Sequence, residues 1–153
     1  MNNLKSLNLE ETILNKIIDE RTPFLGICLG MQILFQDSEE QRKTQGLGIM
    51  EGSVIRFKDD NKFIVPHVGW NFCDFDENDI LFKNIEKGAR FYYDHSYYIP
   101  LNVKNNTIGS LTYQAKITSA VRKGNIFGVQ FHPEKSQRNG LKLLRNFTTF
   151  KTK

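Results

Sequence analysis

The stretch Phe24-Leu25-Gly26-Ile27-Cys28-Leu29-Gly30-Met31-Gln32 decides the reading of this 153-residue chain. A short apolar run ends in Gly-x-Cys-x-Gly and passes directly into an apolar, helix-forming run from Met31 to Phe35. Short and apolar is what a buried parallel strand requires. A glycine-flanked nucleophile between strand and helix is the cysteine form of the nucleophile elbow. Such a turn strains the backbone at Cys28, so its neighbours have to be small enough for strand and helix to approach. A thiol at a helix start also faces free N–H groups that favour the thiolate. The pattern alone leaves an alternative of equal weight, a buried cysteine in a core strand with Gly30 as a turn.

Composition narrows the partners. Hydrophobic content of 39% and charged content of 25% suit one globular domain spanning residues 1–153. The net charge of +4 comes from scattered Lys and Arg, with no basic block interleaved with aromatics, which argues against nucleic acid. No apolar run is long enough to span a membrane. Met1-Asn2-Asn3-Leu4-Lys5 carries no signal-peptide hydrophobic region, so the expected location is cytoplasmic and the expected state of Cys28 and Cys73 is reduced. His67, His95 and His132 lie far apart without cysteine partners at zinc spacing, so neither a metal nor a cofactor is expected.

Outward from the elbow, helical spacing of Leu4, Leu7, Ile13, Leu14, Ile17 and Ile18 predicts a helix, with Asn8 and Glu11 as a capping box and Thr22-Pro23 as its stop. Helix, buried strand and helix in succession is an α/β signal. Gln36 to Lys43 reads as a polar loop or solvated helix end. Val54–Phe57 and Lys62–Pro66 read as strands around an Asp59-Asp60-Asn61 turn. Leu81–Ile85 fits one helical turn, and Phe91–Tyr98 is aromatic and β-prone. Ile108–Tyr113 and Ile117–Arg122 read as strands, bounded by turns at Asn105-Asn106 and Lys123-Gly124-Asn125. Ile126–Phe131 is another buried strand, ending at His132-Pro133-Glu134. Leu141, Leu144, Phe147 and Phe150 mark the last helix.

A nucleophilic thiol needs a base to take its proton and later to protonate the leaving group, and that base needs an orienting acceptor. His132 lies just beyond a buried strand, where open α/β sheets bind ligands, and Glu134 follows two residues on. His-Pro-Glu by itself is an ordinary loop more often than a catalytic one; joined to the elbow, in the order cysteine, histidine, carboxylate, it becomes a candidate triad. The blocks Gly26-Ile27-Cys28-Leu29-Gly30-Met31-Gln32 and Gly128-Val129-Gln130-Phe131-His132-Pro133-Glu134 resemble the triad-type (class I) glutamine amidotransferases. Pro66-His67-Val68-Gly69-Trp70-Asn71, Asp94-His95-Ser96-Tyr97 and His132-Pro133-Glu134-Lys135-Ser136-Gln137 resemble, more narrowly, the glutaminase subunits of imidazole glycerol phosphate synthases. The likeness extends over nearly the whole chain.

The resemblance implies a three-layer α/β fold with a mostly parallel central sheet. It implies that Cys28 attacks the side-chain amide of glutamine, His132 relays the proton to departing ammonia and Glu134 fixes the imidazole. Elbow and imidazole together are expected to lower the thiol to roughly 3.5–7.5. Gly30, Gln32, His95, Ser96 and Tyr97 are implied in glutamine binding, the last three through backbone. Trp70, Asn71 and Lys135 are implied at an interface with a (β/α)8-barrel synthase subunit in a heterodimer. Without the family, His67 and Trp70 read as core and Lys135 as a surface lysine. Cys73 and the tyrosines at 92, 93 and 98 read as packing.

The family's chain opens with strands and a Pro-Gly-Val-Gly-type turn that supplies oxyanion donors, and no such sequence precedes Leu4. The expectation is therefore an N-terminally truncated copy, in which loss of one oxyanion donor costs about 10²–10³ in rate and an apolar sheet edge is exposed. Three functions stay open on sequence: ammonia supply for imidazole glycerol phosphate in histidine biosynthesis, the same chemistry feeding another acceptor such as a sugar amidotransferase, and an inactive binding fragment.

Overall fold

A computed structural model describes residues 1–40, 42–101 and 106–151. The chain opens with α1 (Asn2–Ser6) and α2 (Leu9–Leu14), the latter running on as a π-helical turn over Asn15–Asp19. β1 (Phe24–Ile27) leads through the elbow into α3 (Leu29–Gln32). Then follow β2 (Asp37–Ser38), β3 (Thr44–Gln45), β4 (Ser53–Arg56), β5 (His67–Phe72), β6 (Asp74–Phe75), β7 (Arg90–His95) and β8 (Tyr97–Pro100). β9 (Thr107–Thr112), β10 (Lys116–Lys123), β11 (Ile126–Val129) and α4 (Gln137–Thr148) complete it.

The main sheet runs β1-β11-β10-β8-β4-β2-β3, with β9 on the other side of β10 and β6 beyond it. β10 holds β9 along one edge, and its other edge is shared by β8 at Ile117–Thr118 and β11 at Ala120–Lys123. The parallel pairings are β1–β11 and β2–β4; the others are antiparallel. One parallel pairing holds the elbow strand and the other lies towards the opposite end of the sheet, while short turns such as Lys123-Gly124-Asn125 join antiparallel neighbours between them. β5 and β7 form a separate two-stranded sheet, paired from His67↔His95 to Phe72↔Arg90. Among the described residues, β1 ends the sheet order, with β11 as its paired neighbour.

The sheet separates two apolar clusters. One gathers Phe57, Phe82, Phe91, Tyr93, Phe127, Phe131 and Leu143; the other gathers Ile17, Met31, Leu34, Phe35, Val54 and Ile126. β11 supplies both because successive side chains of a strand point to opposite faces.

Several local expectations change. Asn8 adopts φ 54 and its side chain caps nothing, so no capping box forms and α1 and α2 are separate. The segment 36–43 contributes β2, which lies parallel to β4. Residues 62–66 form no strand: Asp60 Oδ1 accepts from the N–H groups of Lys62 and Phe63 in an Asx-type turn, and β4 already has β2 and β8 as neighbours. In α4 Leu143 is buried in the core and the expected Phe147 packs against it, as Phe150 does just past the helix, whereas Leu141 is 67% exposed. Gly140 sets that rotation, since a Cβ there would meet the Pro133 carbonyl. The expected turn at Asn105-Asn106 begins outside the described residues; Asn106 adopts φ 57.

Candidate active site

The elbow rests on two glycines. Gly26 and Gly128 are register partners on β1 and β11. A Cβ on Gly26 would lie 2.2 Å from the Gly30 carbonyl oxygen, and one on Gly128 would lie 2.8 Å from Met31 Cγ. Paired glycines therefore make a flat floor on which α3 sits directly, and the chain has no room for a gradual bend. Cys28 takes the bend at φ 50 and ψ −106, a backbone state costing of order 1–3 kcal/mol for a non-glycine residue. Its N–H remains tied to the sheet through the Val129 carbonyl at 2.8 Å.

β11 carries the second half of the site. Past its end, His132 donates its N–H to the Tyr92 carbonyl at 2.8 Å, and Pro133–Lys135 form a single 3-10 turn. That turn folds Glu134 back so that Oε1 lies 2.7 Å from His132 Nδ1. A carboxylate only accepts, so Nδ1 carries the proton and Nε2 is free to act as a base. Ser136 Oγ donates to the His132 carbonyl at 2.6 Å and accepts from Tyr92 N–H at 2.9 Å, locking the loop to β7.

Because β1 and β11 are parallel neighbours in register, Cys28 and the His132 turn leave the same end of the sheet. The Cys28 sulfur donates to the Asp94 carbonyl at 3.8 Å and accepts from Gln130 Nε2 at 3.7 Å; among the described residues it makes no hydrogen bond to His132. The thiol sits above its ordinary range, not below it: burial raises it most, the Leu29 N–H and Gln130 oppose, and Asp94 and Glu134 add to the rise. The expected low thiol is thus corrected. α3 is a single turn of four residues, and the imidazole does not touch the sulfur in this resting arrangement. Catalytic hydrogen bonds often tighten only once substrate is bound.

The residues nominated for glutamine divide. Gly30 faces open space. Gln32 is 7% exposed, and its amide donates to the Tyr97 carbonyl and Gln130 Oε1 at 3.0 and 3.1 Å. His95 is buried, with Nδ1 2.8 Å from the Tyr97 carbonyl and Nε2 3.0 Å from His67 Nδ1. The Ser96 carbonyl accepts from Phe57 N–H at 3.0 Å. A cleft of about 460 Å³ opens on the far side of α3, lined by Leu29, Gln32 and Ile33 and by residues such as Asn2, Asp37 and Arg42; neither Cys28 nor His132 lines it. Gln130, which carries the donor to the sulfur, was not nominated from sequence; its only signal was a polar residue inside an otherwise apolar strand.

The interface candidates lie on β5 and the His132 turn. Val68, Trp70 and Phe72 alternate on one face, each 44–53% exposed. Tyr92 meets Trp70 edge-on at 6.0 Å, and Lys135 Nζ stands 5.5 Å over the Tyr92 ring and 3.8 Å from Asp94 Oδ2. Asn71 turns to the other face of β5, where Nδ2 lies 3.3 Å from His67 Nε2. Among the described residues no three His, Cys, Asp or Glu side chains are grouped to hold a metal, and no helix is long and apolar enough to cross a membrane.

The family model for class-I glutamine amidotransferases matches residues 2–150. The chain belongs to the class-I glutamine amidotransferase family. Among relatives of this amidotransferase, the HisH 2 subunit of imidazole glycerol phosphate synthase from Methanococcus maripaludis is 47% identical over 147 residues, covering 96% of this chain and 72% of the relative. The HisH subunit from Methanocaldococcus jannaschii is 48% identical over 139 residues, covering 91% and 69%. A crystal structure described as a glutamine amidotransferase superposes with a TM-score of 0.66 at 14% identity, over 95% of this chain and 71% of the other, which bears on fold alone.

Proposed function

We propose that this amidotransferase is the glutaminase subunit of an imidazole glycerol phosphate synthase, releasing ammonia from glutamine for histidine biosynthesis. The observation that carries the reading is the register of β1 and β11, which brings an elbow cysteine and a carboxylate-oriented histidine to one end of the sheet. His132 Nε2 takes the Cys28 proton as the sulfur attacks the glutamine amide carbon. The C–N bond breaks, the proton passes from Nε2 to the leaving nitrogen, and ammonia departs from a γ-glutamyl thioester. Water, deprotonated by the same nitrogen, attacks the thioester, releases glutamate and restores the thiol. Glu134 stays ionised throughout and holds the Nδ1 proton.

Gly30 and the backbone of Ser96 and Tyr97 are the proposed glutamine contacts, with Gln32 and His95 holding the Tyr97 carbonyl in place. The proposed partner is a (β/α)8-barrel synthase subunit, bound as a heterodimer in the cytoplasm through Trp70 and Lys135. The strip Val68, Trp70, Phe72 supports this, because large exposed aromatics with a charged rim are the composition of binding hot spots. Asn71 supports the strip from behind.

The test combines this chain with a synthase subunit from a HisH-containing relative, glutamine and the ribulosyl phosphate substrate. Glutamine-dependent imidazole glycerol phosphate formation is expected, with Trp70→Ala weakening assembly by about 2 kcal/mol. Ammonia release with no product at saturating partner would redirect the chain to another acceptor.

A further inference from the structure

The Tyr97 carbonyl receives two donors, His95 Nδ1 at 2.8 Å and Gln32 Nε2 at 3.0 Å. A carbonyl only accepts, so both partners must donate, and every other orientation nearby follows. His95 holds its proton on Nδ1, which leaves Nε2 an acceptor. His67 Nδ1, 3.0 Å away, must then carry the proton it donates. His67 Nε2 is therefore an acceptor, and Asn71 Nδ2 donates to it. On the other side, Gln32 presents its amide nitrogen to the carbonyl, and the second N–H of that nitrogen reaches Gln130 Oε1 at 3.1 Å. Gln130 thus has its oxygen occupied and turns its own nitrogen towards Cys28 Sγ, 3.7 Å away.

The histidines and glutamines of the line are buried, and Asn71 and Tyr97 are partly so. Gln32, His67, His95 and Gln130 are 7%, 4%, 5% and 0% exposed. His67 is clamped between the rings of Tyr93 and Tyr113, stacked at centroid distances of 5.0 and 4.1 Å. Burial, above all, lowers both imidazoles to about 4, so both stay neutral near pH 7 and keep the tautomers that the line demands.

We propose that Gln130 is a positioning residue for the nucleophile, aiming an N–H at the Cys28 sulfur, and that the Tyr97 carbonyl, acting through Gln32, fixes which end of its amide does so. This rests on the reading of Cys28 as the attacking thiol. With the amide reversed, an oxygen would face the sulfur and oppose the thiolate; as built, the donor favours it. His95, backed by His67, ties the same carbonyl to β7 and so helps to hold it in place.

The experiment is the pH dependence of Cys28 alkylation by iodoacetamide, read by peptide mass spectrometry and needing neither glutamine nor a partner. Gln130→Glu keeps the volume and the acceptor for Gln32 but removes the donor; Gln130→Leu removes both. Each is expected to move the alkylation midpoint to higher pH, Gln130→Glu further, with the rate at pH 7 falling roughly tenfold for Gln130→Leu. Glutamine turnover should lose kcat with KM little changed. Midpoints equal to wild type in folded variants would overturn the proposal, because a packing role predicts that result. Should the variants fail to fold, the side-chain amide protons of Gln130 in the wild type decide by NMR. A through-space contact from them to the Cys28 side chain supports the donor arrangement, and contact with the Gln32 side-chain amide in its place overturns it. Shifted alkylation midpoints without any glutaminase activity would support the positioning role while refuting the functional reading.

Discussion

Alanine at Gly26 and alanine at Gly30 should have opposite effects, although the two glycines flank Cys28 symmetrically in sequence. A Cβ on Gly26 would lie 2.2 Å from the Gly30 carbonyl oxygen, 2.5 Å from its carbon and 2.7 Å from Met31 N. All three are backbone atoms, so no side-chain rotation relieves the overlap. Ordinary contact requires about 3.5 Å, and α3 would have to lift from β1 by about 1 Å. Overpacking costs about 1–3 kcal/mol, and a rigid backbone neighbour puts this case at the top of that range. At roughly 2–4 °C per kcal/mol, Gly26→Ala should lower the melting temperature by roughly 6–12 °C and slow Cys28 alkylation as the elbow is displaced. A Cβ on Gly30 meets nothing within 4 Å, and alanine in a helix is up to about 1 kcal/mol better than glycine. Gly30→Ala should therefore melt with wild type or up to about 4 °C above it. Calorimetry of the two variants checks this, and equal destabilisation of both would refute the reasoning that α3 rests on Gly26.

Three further outcomes follow from buried groups. His67 and His95 titrate at about 4 in the folded chain against 6.5 when exposed; folded values below unfolded ones mean stability present above pH 6.5 and lost as pH falls towards 4. The melting temperature should therefore drop between pH 6.5 and 5, before most carboxylates titrate, and a flat profile there would contradict neutral burial of the pair. Cys73 is fully buried and its thiol is pushed up to about 12, chiefly by burial. Iodoacetamide should therefore label Cys28 alone in the folded chain, and comparable labelling of Cys73 would contradict its placement. Asp79 Oδ1 accepts from Leu81 N–H at 2.9 Å and Oδ2 pairs with Arg122 at 3.0 Å. Asp79→Ala should cost about 2 kcal/mol in a denaturant titration, and a loss below about 0.5 kcal/mol would show the pair to be inert.

The elbow and His132-Pro133-Glu134 were legible because their chemistry is local. β11, buried at every position, must be apolar; β1 is apolar too, though only partly buried at the end of the sheet order, and an elbow needs glycine on both sides of the nucleophile. The partnership of Gly26 with Gly128 was not legible, since it is a register fact between segments about a hundred residues apart. Residues 62–66 misled because Phe63, Ile64 and Val65 have strand propensity, yet Asp60 captures the backbone donors and Ile64 is 80% exposed. Leu141 misled because Leu143 suits the same helical period and the close approach at Gly140 chooses between them. His67 and His95 were separate candidates in sequence; only the pairing of β5 with β7 makes them one hydrogen-bonded unit. The low thiol expected at Cys28 failed because burial of the sulfur outweighs its donors.

Ammonia release from glutamine, measured for the chain bound to its synthase partner and for the same complex carrying Cys28→Ser, tests the central claim most directly. The geometry predicts release by the first and none above background from the second, with both complexes equally assembled. Equal release from both, or none from either, would contradict the assignment of Cys28 as the nucleophile of a glutaminase.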